Sequence, residues 1–248
     1  MIEFQGPYPS FPLQYELHAA TFLERPNRFL ARVRVDGKTV NAHVPDPGRL
    51  KELLLPDAEV MVRYHPSPSR KTDWTLTLVR KNQVWVCVNT QIPNAFVNEL
   101  LRRQLLPEFA RFHDIQPEAT NGNSRFDFRL EDQDETYWLE VKSVSLVHEQ
   151  VGLFPDAPTE RGTRHVKHLM ELQSNGENAG VLFMVQRSDA RLFAPNWITD
   201  PVFAAAIRDA AANGVEVVAY TTHVEPHAIQ LRDRIEYDLD RKYPLPEM

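Results

Sequence analysis

At 248 residues, with 42% hydrophobic and 25% charged side chains and a net charge of −6, the chain reads as a water-soluble protein with room for one large domain or two modest ones. No apolar run reaches membrane-spanning length, and the first stretch, MIEFQGPYPSFPL, lacks the basic start and apolar segment of a secretory signal, so a cytoplasmic location is expected. The single cysteine, Cys87, excludes an internal disulfide and, within VWVCVN, reads as a small buried hydrophobe.

Charge is unevenly divided. Residues 1–82 hold 12 Lys and Arg against 9 Asp and Glu, whereas residues 83–248 hold 16 against 25. A basic first part beside an acidic second part predicts two units, 1–82 and 83–248, and local positive charge suffices for nucleic-acid binding because the field is screened within about 10 Å.

The first unit reads as short strands. ARVRVDGKTVNAHV alternates around Asp36-Gly37, with Val33 and Val35 before the turn and Val40, Ala42 and Val44 after it, the pattern of a hairpin. Arg32 and Arg34 fall on the opposite face, with Arg28 upstream and Lys38 beside the turn. DPGRLKELLLPD predicts a short helix between Asp46-Pro47 and Pro56. Strands follow at EVMVRYH, WTLTLVR and QVWVCVN, and the loop HPSPSRKTD carries Arg70 and Lys71. About five short strands suggest a small β-barrel of the OB type, whose basic face would suit a phosphate backbone.

From about residue 90 the periodicity changes. PNAFVNELLRRQL has helical spacing; FHDIQPEATNGNSRFDFRL reads as two strands around Asn121-Gly122; TYWLEVKSVSL is a third. PTERGTRHVKHLMELQSNG is a helix starting near Thr159, AGVLFMVQR a strand covered on both faces, DPVFAAAIRDAAANG a helix capped by Asp200, and VEVVAYTT another strand. The fold class expected is mixed α/β: an OB-like barrel, then a mixed sheet flanked by helices.

The hairpin from Ser124 to Leu146 poses a physical problem. Strict alternation would put Arg125, Asp127 and Arg129 on one face and Phe126, Phe128 and Leu130 on the other. A turn symmetric within EDQDET would place Asp127 opposite Glu140, with Lys142 beside them. Two carboxylates so placed repel by on the order of 3–4 kcal/mol at an effective dielectric of about 20. A divalent cation reverses that sign, and a hard, oxygen-seeking ion such as Mg2+ or Mn2+ is the expected cofactor. Lys142 would then hold or deprotonate a water, or steady charge developing on a phosphate. Asp, twelve residues, then Glu-x-Lys is the PD-(D/E)xK nuclease pattern, which a structural Glu–Lys pair can also produce.

The stretches RPNRFLARVRVDG, AHVPDPGRLKELL, NGNSRFDF, EVKSVSL, FPDAPTERGTRHVKHLMEL, VQRSDA and GVEVVAY resemble the sugar fermentation stimulation protein A (SfsA) family over essentially the whole chain. Asp46-Pro47-Gly48-Arg49-Leu50 departs from the Asn-Thr-Gly-Ser-Met version of some relatives. The resemblance implies an N-terminal OB-like domain, a C-terminal PD-(D/E)xK nuclease-like domain, DNA binding, and an association with expression of sugar-utilisation genes. It carries the nuclease motif onto Asp127, Glu140 and Lys142 and puts Gln186 where that fold often has a polar residue near the site.

Glu118, one strand earlier, is a further candidate metal ligand, and Glu99 a weaker one. Asp156, Glu160 and Arg161 follow the Glu140 strand closely enough to reach the site. His165 and His168 lack the i, i+4 spacing of a helical zinc site and read as solvated helix face. Ser143 and Ser145 have no His/Asp arrangement nearby that argues for acyl transfer. The leading expectation is a DNA-binding, metal-dependent nuclease using Arg28, Arg32, Arg34, Lys38, Arg70 and Lys71 on phosphates. The rival is a non-enzymatic DNA-binding regulator that keeps the nuclease fold as scaffold; an interaction module without nucleic acid ranks last.

Overall fold

The computed structural model describes residues 8–133 and 135–246; Met1 to Pro7 of the leading stretch and Asp134 of the acidic turn lie outside the described residues. The first strand, Ser10–Pro12 (β1), runs away from the barrel to pair with the last strand of the chain. His18–Asn27 (β2), Leu30–Val35 (β3), Lys38–His43 (β4), Glu59–Tyr64 (β5) and Trp74–Lys81 (β6) then close a five-stranded barrel in the order β2-β3-β4-β6-β5 and back to β2. The predicted hairpin is β3–β4. Asp36 and Gly37 both take positive φ, 47° and 77°, as a two-residue turn matched to strand twist requires. Val33, Val35, Val60, Val62, Leu76 and Val79 fill the barrel, and the arginines between them face out.

Two expectations for this half need correction. Residues 46–57 form turns rather than a helix: Leu50 adopts φ 50°, and its carbonyl accepts from both Leu53 and Leu54. The apolar spacing read as helical instead plugs the barrel, with Leu50, Leu53 and Leu54 all buried. Strand β2, HAATFLERPN, was missed because Pro26 and Glu24 break its pattern; register shifts at Glu24 absorb them.

Val84–Cys87 (β7) continues antiparallel from β6 and leads to Gln91–Arg102 (α1). Asp114–Asn121 (β8), Ser124–Asp132 (β9) and Glu135–Val144 (β10) form an antiparallel ribbon. After Leu146–His148 (β11) and Val151–Phe154 (β12) come Glu160–Ser174 (α2), Asn178–Val185 (β13), Leu192–Pro195 (β14), Pro201–Ala212 (α3), Glu216–Glu225 (β15) and Ala228–Tyr237 (β16). Strands β10, β13 and β15 are parallel neighbours, and β16 closes antiparallel on β15. Strands β11, β12, β14 and β16 were not foreseen; they are short or lack clean alternation.

Helix α1 covers one face of this sheet through Phe96, Val97, Leu100 and Leu101, against Phe128, Leu130, Leu182 and Met184. Helices α2 and α3 cover the other, with Val166, Leu169, Phe203 and Ile207 against Val181, Phe183 and Val217. Burial on both faces is why β13 is apolar almost throughout. The N-termini of α2 and α3 are tied together. Asp200 accepts from Phe203 N as the α3 cap, and its second oxygen accepts from Thr159 N, while Thr159 caps α2 through Gly162 N. Cys87 is buried as expected, and burial pushes its thiol up to about 12.

Candidate active site

The ribbon register is the one symmetry predicts. Glu135 pairs with Asp132 and Leu139 with Phe128, which makes Asp127 and Glu140 the next pair in line. The ladder stops just before them. On the other side, Pro117 and Ala119 pair with Phe128 and Phe126, but Glu118 between them has φ 52° and does not pair with Asp127. Strand β9 therefore kinks at Asp127. The uniform alternation expected for it is overturned: Phe126 packs with Trp138 on the α2 face, while Phe128 and Leu130 pack on the α1 face.

That kink builds the site. Released from the ladder, Asp127 supplies its carboxylate where a backbone acceptor would stand: Oδ2 accepts from Val141 N at 2.8 Å, and Oδ1 accepts from Asn94 Nδ2 of α1 at 2.7 Å. Glu140, 4% exposed, accepts at Oε1 from Lys142 Nζ at 2.5 Å and lies 2.7 Å from His165 Nδ1. Arg161 Nε donates toward His165 Nε2 at 3.4 Å, so both ring nitrogens are engaged. The other oxygen, Glu140 Oε2, is buried with no hydrogen-bond partner among the described residues.

Electrostatics separates the two acids. Burial, then the charge of Glu140, pushes Asp127 up to about 6 against the pull of Lys142, the Val141 amide and Asn94. Burial also opposes ionisation of Glu140, but Lys142 and His165 together outweigh it and hold the carboxyl below its ordinary range. At neutral pH the site thus holds an ionised Glu140 with one unfilled oxygen, beside an Asp127 under electrostatic stress.

These residues fit a hard divalent cation: two adjacent carboxylates, one with an orphaned buried oxygen, answer the preference for oxygen donors. Among the described residues no three His, Cys, Asp or Glu side chains converge as a complete ligand set. The donors match an ion that keeps waters and takes a substrate oxygen.

Other candidates are placed elsewhere. Glu118 is exposed and sits 3.6 Å from Arg125. Gln186 is buried just beyond the end of β13, its Nε2 donating to Met184 O and its Oε1 without a hydrogen-bond partner among the described residues. Asp156 turns to the barrel loop, where Oδ2 accepts from Leu50 N at 2.6 Å. Glu99 lines a separate groove with Tyr15, Arg63 and Arg103. Of the barrel cations, Arg32 is paired with Glu24 and Arg70 is folded onto Thr75 Oγ1 and Thr72 O; Arg28, Arg34, Lys38 and Lys71 are exposed with no ion pair among the described residues.

Two residues of the cluster escaped the sequence reading. Asn94 carries no recognisable signal. His165, expected in solvent, is 3% exposed, and it shares the helical stripe of Leu169 and Leu172 at i, i+4 and i+7, a signal that was there to use.

Comparison with known proteins agrees with this architecture. The family profile described as "SfsA N-terminal OB domain" matches residues 23–88, and "Sugar fermentation stimulation protein RE domain" matches residues 91–228. A "Sugar fermentation stimulation protein homolog" of Acetivibrio thermocellus is 47% identical over 86% of this chain and 92% of its own length, and one of Clostridium acetobutylicum is 43% identical over 88% and 95%. A solved structure, "Pyrococcus Furiosus SfsA in complex with Ca2+", superposes with a TM-score of 0.85 at 27% identity, covering 92% of this chain and 98% of that one. The chain therefore belongs to the sugar fermentation stimulation protein family.

Proposed function

We propose that this protein binds DNA and hydrolyses phosphodiester bonds at the Asp127–Glu140–Lys142 cluster with the help of Mg2+ or Mn2+. The observation that carries this reading is the unfilled, buried Oε2 of an ionised Glu140 beside Asp127. Lys142 supplies the counter-charge, but a buried carboxylate oxygen left without a donor is still costly, and a cation occupying it in use removes that cost. The solved structure of Pyrococcus furiosus SfsA in complex with Ca2+ supports a divalent cation for this reading.

In this scheme Asp127 and Glu140 hold the ion, which when bound supplies Lewis-acid polarisation of a phosphoryl oxygen. Asn94 and the Val141 amide fix the Asp127 carboxylate, and His165 fixes Glu140. Lys142, 13% exposed at its side chain, is placed to orient an attacking water or to neutralise charge on the departing oxygen. The barrel cations Arg28, Arg34 and Lys38, with Lys71 and, if released from their internal partners, Arg32 and Arg70, contact phosphates. Action on the cell's own DNA would put the protein in the cytoplasm; among the described residues no helix is long and apolar enough to cross a membrane.

One observation favours a second reading, a DNA-binding regulator that does not cleave. Lys142 and His165 already converge on Glu140 Oε1 as a structural ion-pair network would. Incubating purified protein with single- and double-stranded DNA and RNA in Mg2+, Mn2+ or EDTA separates the two. Metal-dependent cleavage abolished by Asp127→Ala supports the nuclease; salt-sensitive binding without cleavage supports the regulator.

A further inference from the structure

A second group of cations lies outside the barrel hairpin, around the loop after β4. Two adjoining cavities, of about 540 and 260 Å3, share Arg25, Arg49 and Lys51 in their walls; Asn27 and Arg28 extend one of them, and Lys81 the other. Arg25 is the internal strut. Its guanidinium donates to the carbonyls of Arg28, Asp46, Gly48 and Arg49 at 2.6–3.1 Å, locking the turn after β2 to the loop after β4. With those carbonyls drawn inward, Arg28, Arg49 and Lys51 are exposed, and none makes an ion pair among the described residues. The larger cavity is also lined by Leu55, 48% exposed, the buried Leu54 and the carboxylate of Glu52, while Phe29, 52% exposed, follows Arg28 in the turn, its N–H held by Asn27 Oδ1.

The same loop is fastened to the second domain next to the carboxylate site. Asp156 accepts from Leu50 N, and Thr90 Oγ1 donates to Pro45 O at 3.2 Å. Thr90 immediately precedes α1, and Asn94, one turn further on, holds Asp127.

We infer that this groove is a track for a single nucleic-acid strand, in which Arg28, Arg49 and Lys51 take successive phosphates, Phe29 stacks a base, and the strand is led toward Asp127 and Glu140. The inference rests on the nucleic-acid reading above and specifies its form and path. Cations in line with apolar surface match a strand whose phosphates and unpaired bases are both exposed; a duplex offers its bases only at groove edges.

The test is fluorescence anisotropy of the full chain with a labelled oligothymidylate of about 20 nucleotides in EDTA, with a duplex of equal length in parallel. Arg49→Glu/Lys51→Glu is expected to weaken single-strand binding at least about tenfold and to reduce the slope of log K against log salt by about 1 or more, and Phe29→Ala to weaken it by about fivefold or more. Lys51→Glu alone, which leaves the attraction between Arg49 and Asp156 in place, should keep the wild-type thermal midpoint and still weaken single-strand binding. Unchanged affinity in the variants, or wild-type binding to duplex alone, overturns the inference while leaving nucleic-acid binding intact. A wild-type protein that binds neither probe overturns it together with the reading beneath it.

Discussion

Two groups of buried carboxylates sit on either side of the domain junction, and their donors differ. At the barrel loop, Asp46 of the loop and Asp156 of the second domain accept from the backbone amides of Gly48 and Leu50, and burial raises both acids, Asp46 to about 6. In the kinked ribbon, Glu140 accepts from the side chains of Lys142 and His165 and is held low, with one oxygen left over. Backbone donors cannot leave, so the first group fastens a loop. Side-chain donors can rotate away, so Glu140 can exchange partners with a substrate or an ion, while Asp127 stays anchored by the Val141 amide. Burial is common to both groups; the identity of the donors sets their roles.

Removing one charge from each group probes that contrast. The largest effect on stability is expected from Lys142→Met, which leaves Glu140 buried without its cation; chemical denaturation should show a loss of about 3–5 kcal/mol. Glu140→Gln/Lys142→Met should recover most of it, because no charge is then stranded.

Next comes pH. The raised Asp46 carboxyl binds its proton more tightly in the fold than in the unfolded chain. Its contribution is therefore fully present below about pH 4 and is lost as pH rises through about 6, amounting to on the order of 2–3 kcal/mol. Asp46→Asn, which keeps the acceptor for Gly48 N, should be more stable than wild type at pH 8 and should lose that part of the pH slope between 4 and 6.

Asp156→Ala should cost about 1–3 kcal/mol by leaving Leu50 N unsatisfied. Gly48→Ala acts on the same contact, since a Cβ there would stand 2.9 Å from oxygens of both Asp46 and Asp156; it too should lower the denaturation midpoint. The smallest effect is expected at the exposed Arg32–Glu24 pair, where Arg32→Ala should change stability by less than about 1 kcal/mol.

The contrast also marks what could be read from the sequence. Local chemistry was legible: Asp36-Gly37 specified its hairpin, Thr159 and Asp200 their helix starts, and the symmetric acidic turn the register of β9 on β10 as far as Phe128 and Leu139. What failed depends on distant partners. Leu50, Leu53 and Leu54 have helical spacing but answer to a barrel interior, and Asn94 acquires its role only because α1 lies over the break in β9. The kink itself, with φ 52° at Glu118 and no glycine to announce it, leaves no mark in a pattern of alternating side chains.

The claim on which the functional account depends is that Asp127 and Glu140 jointly hold a divalent cation. Calorimetric titration of the metal-free protein with Mn2+ measures it directly. The account predicts one ion per chain, with binding lost in Asp127→Asn and in Glu140→Gln; saturable binding that survives both substitutions, or no binding by the wild-type chain, would contradict it.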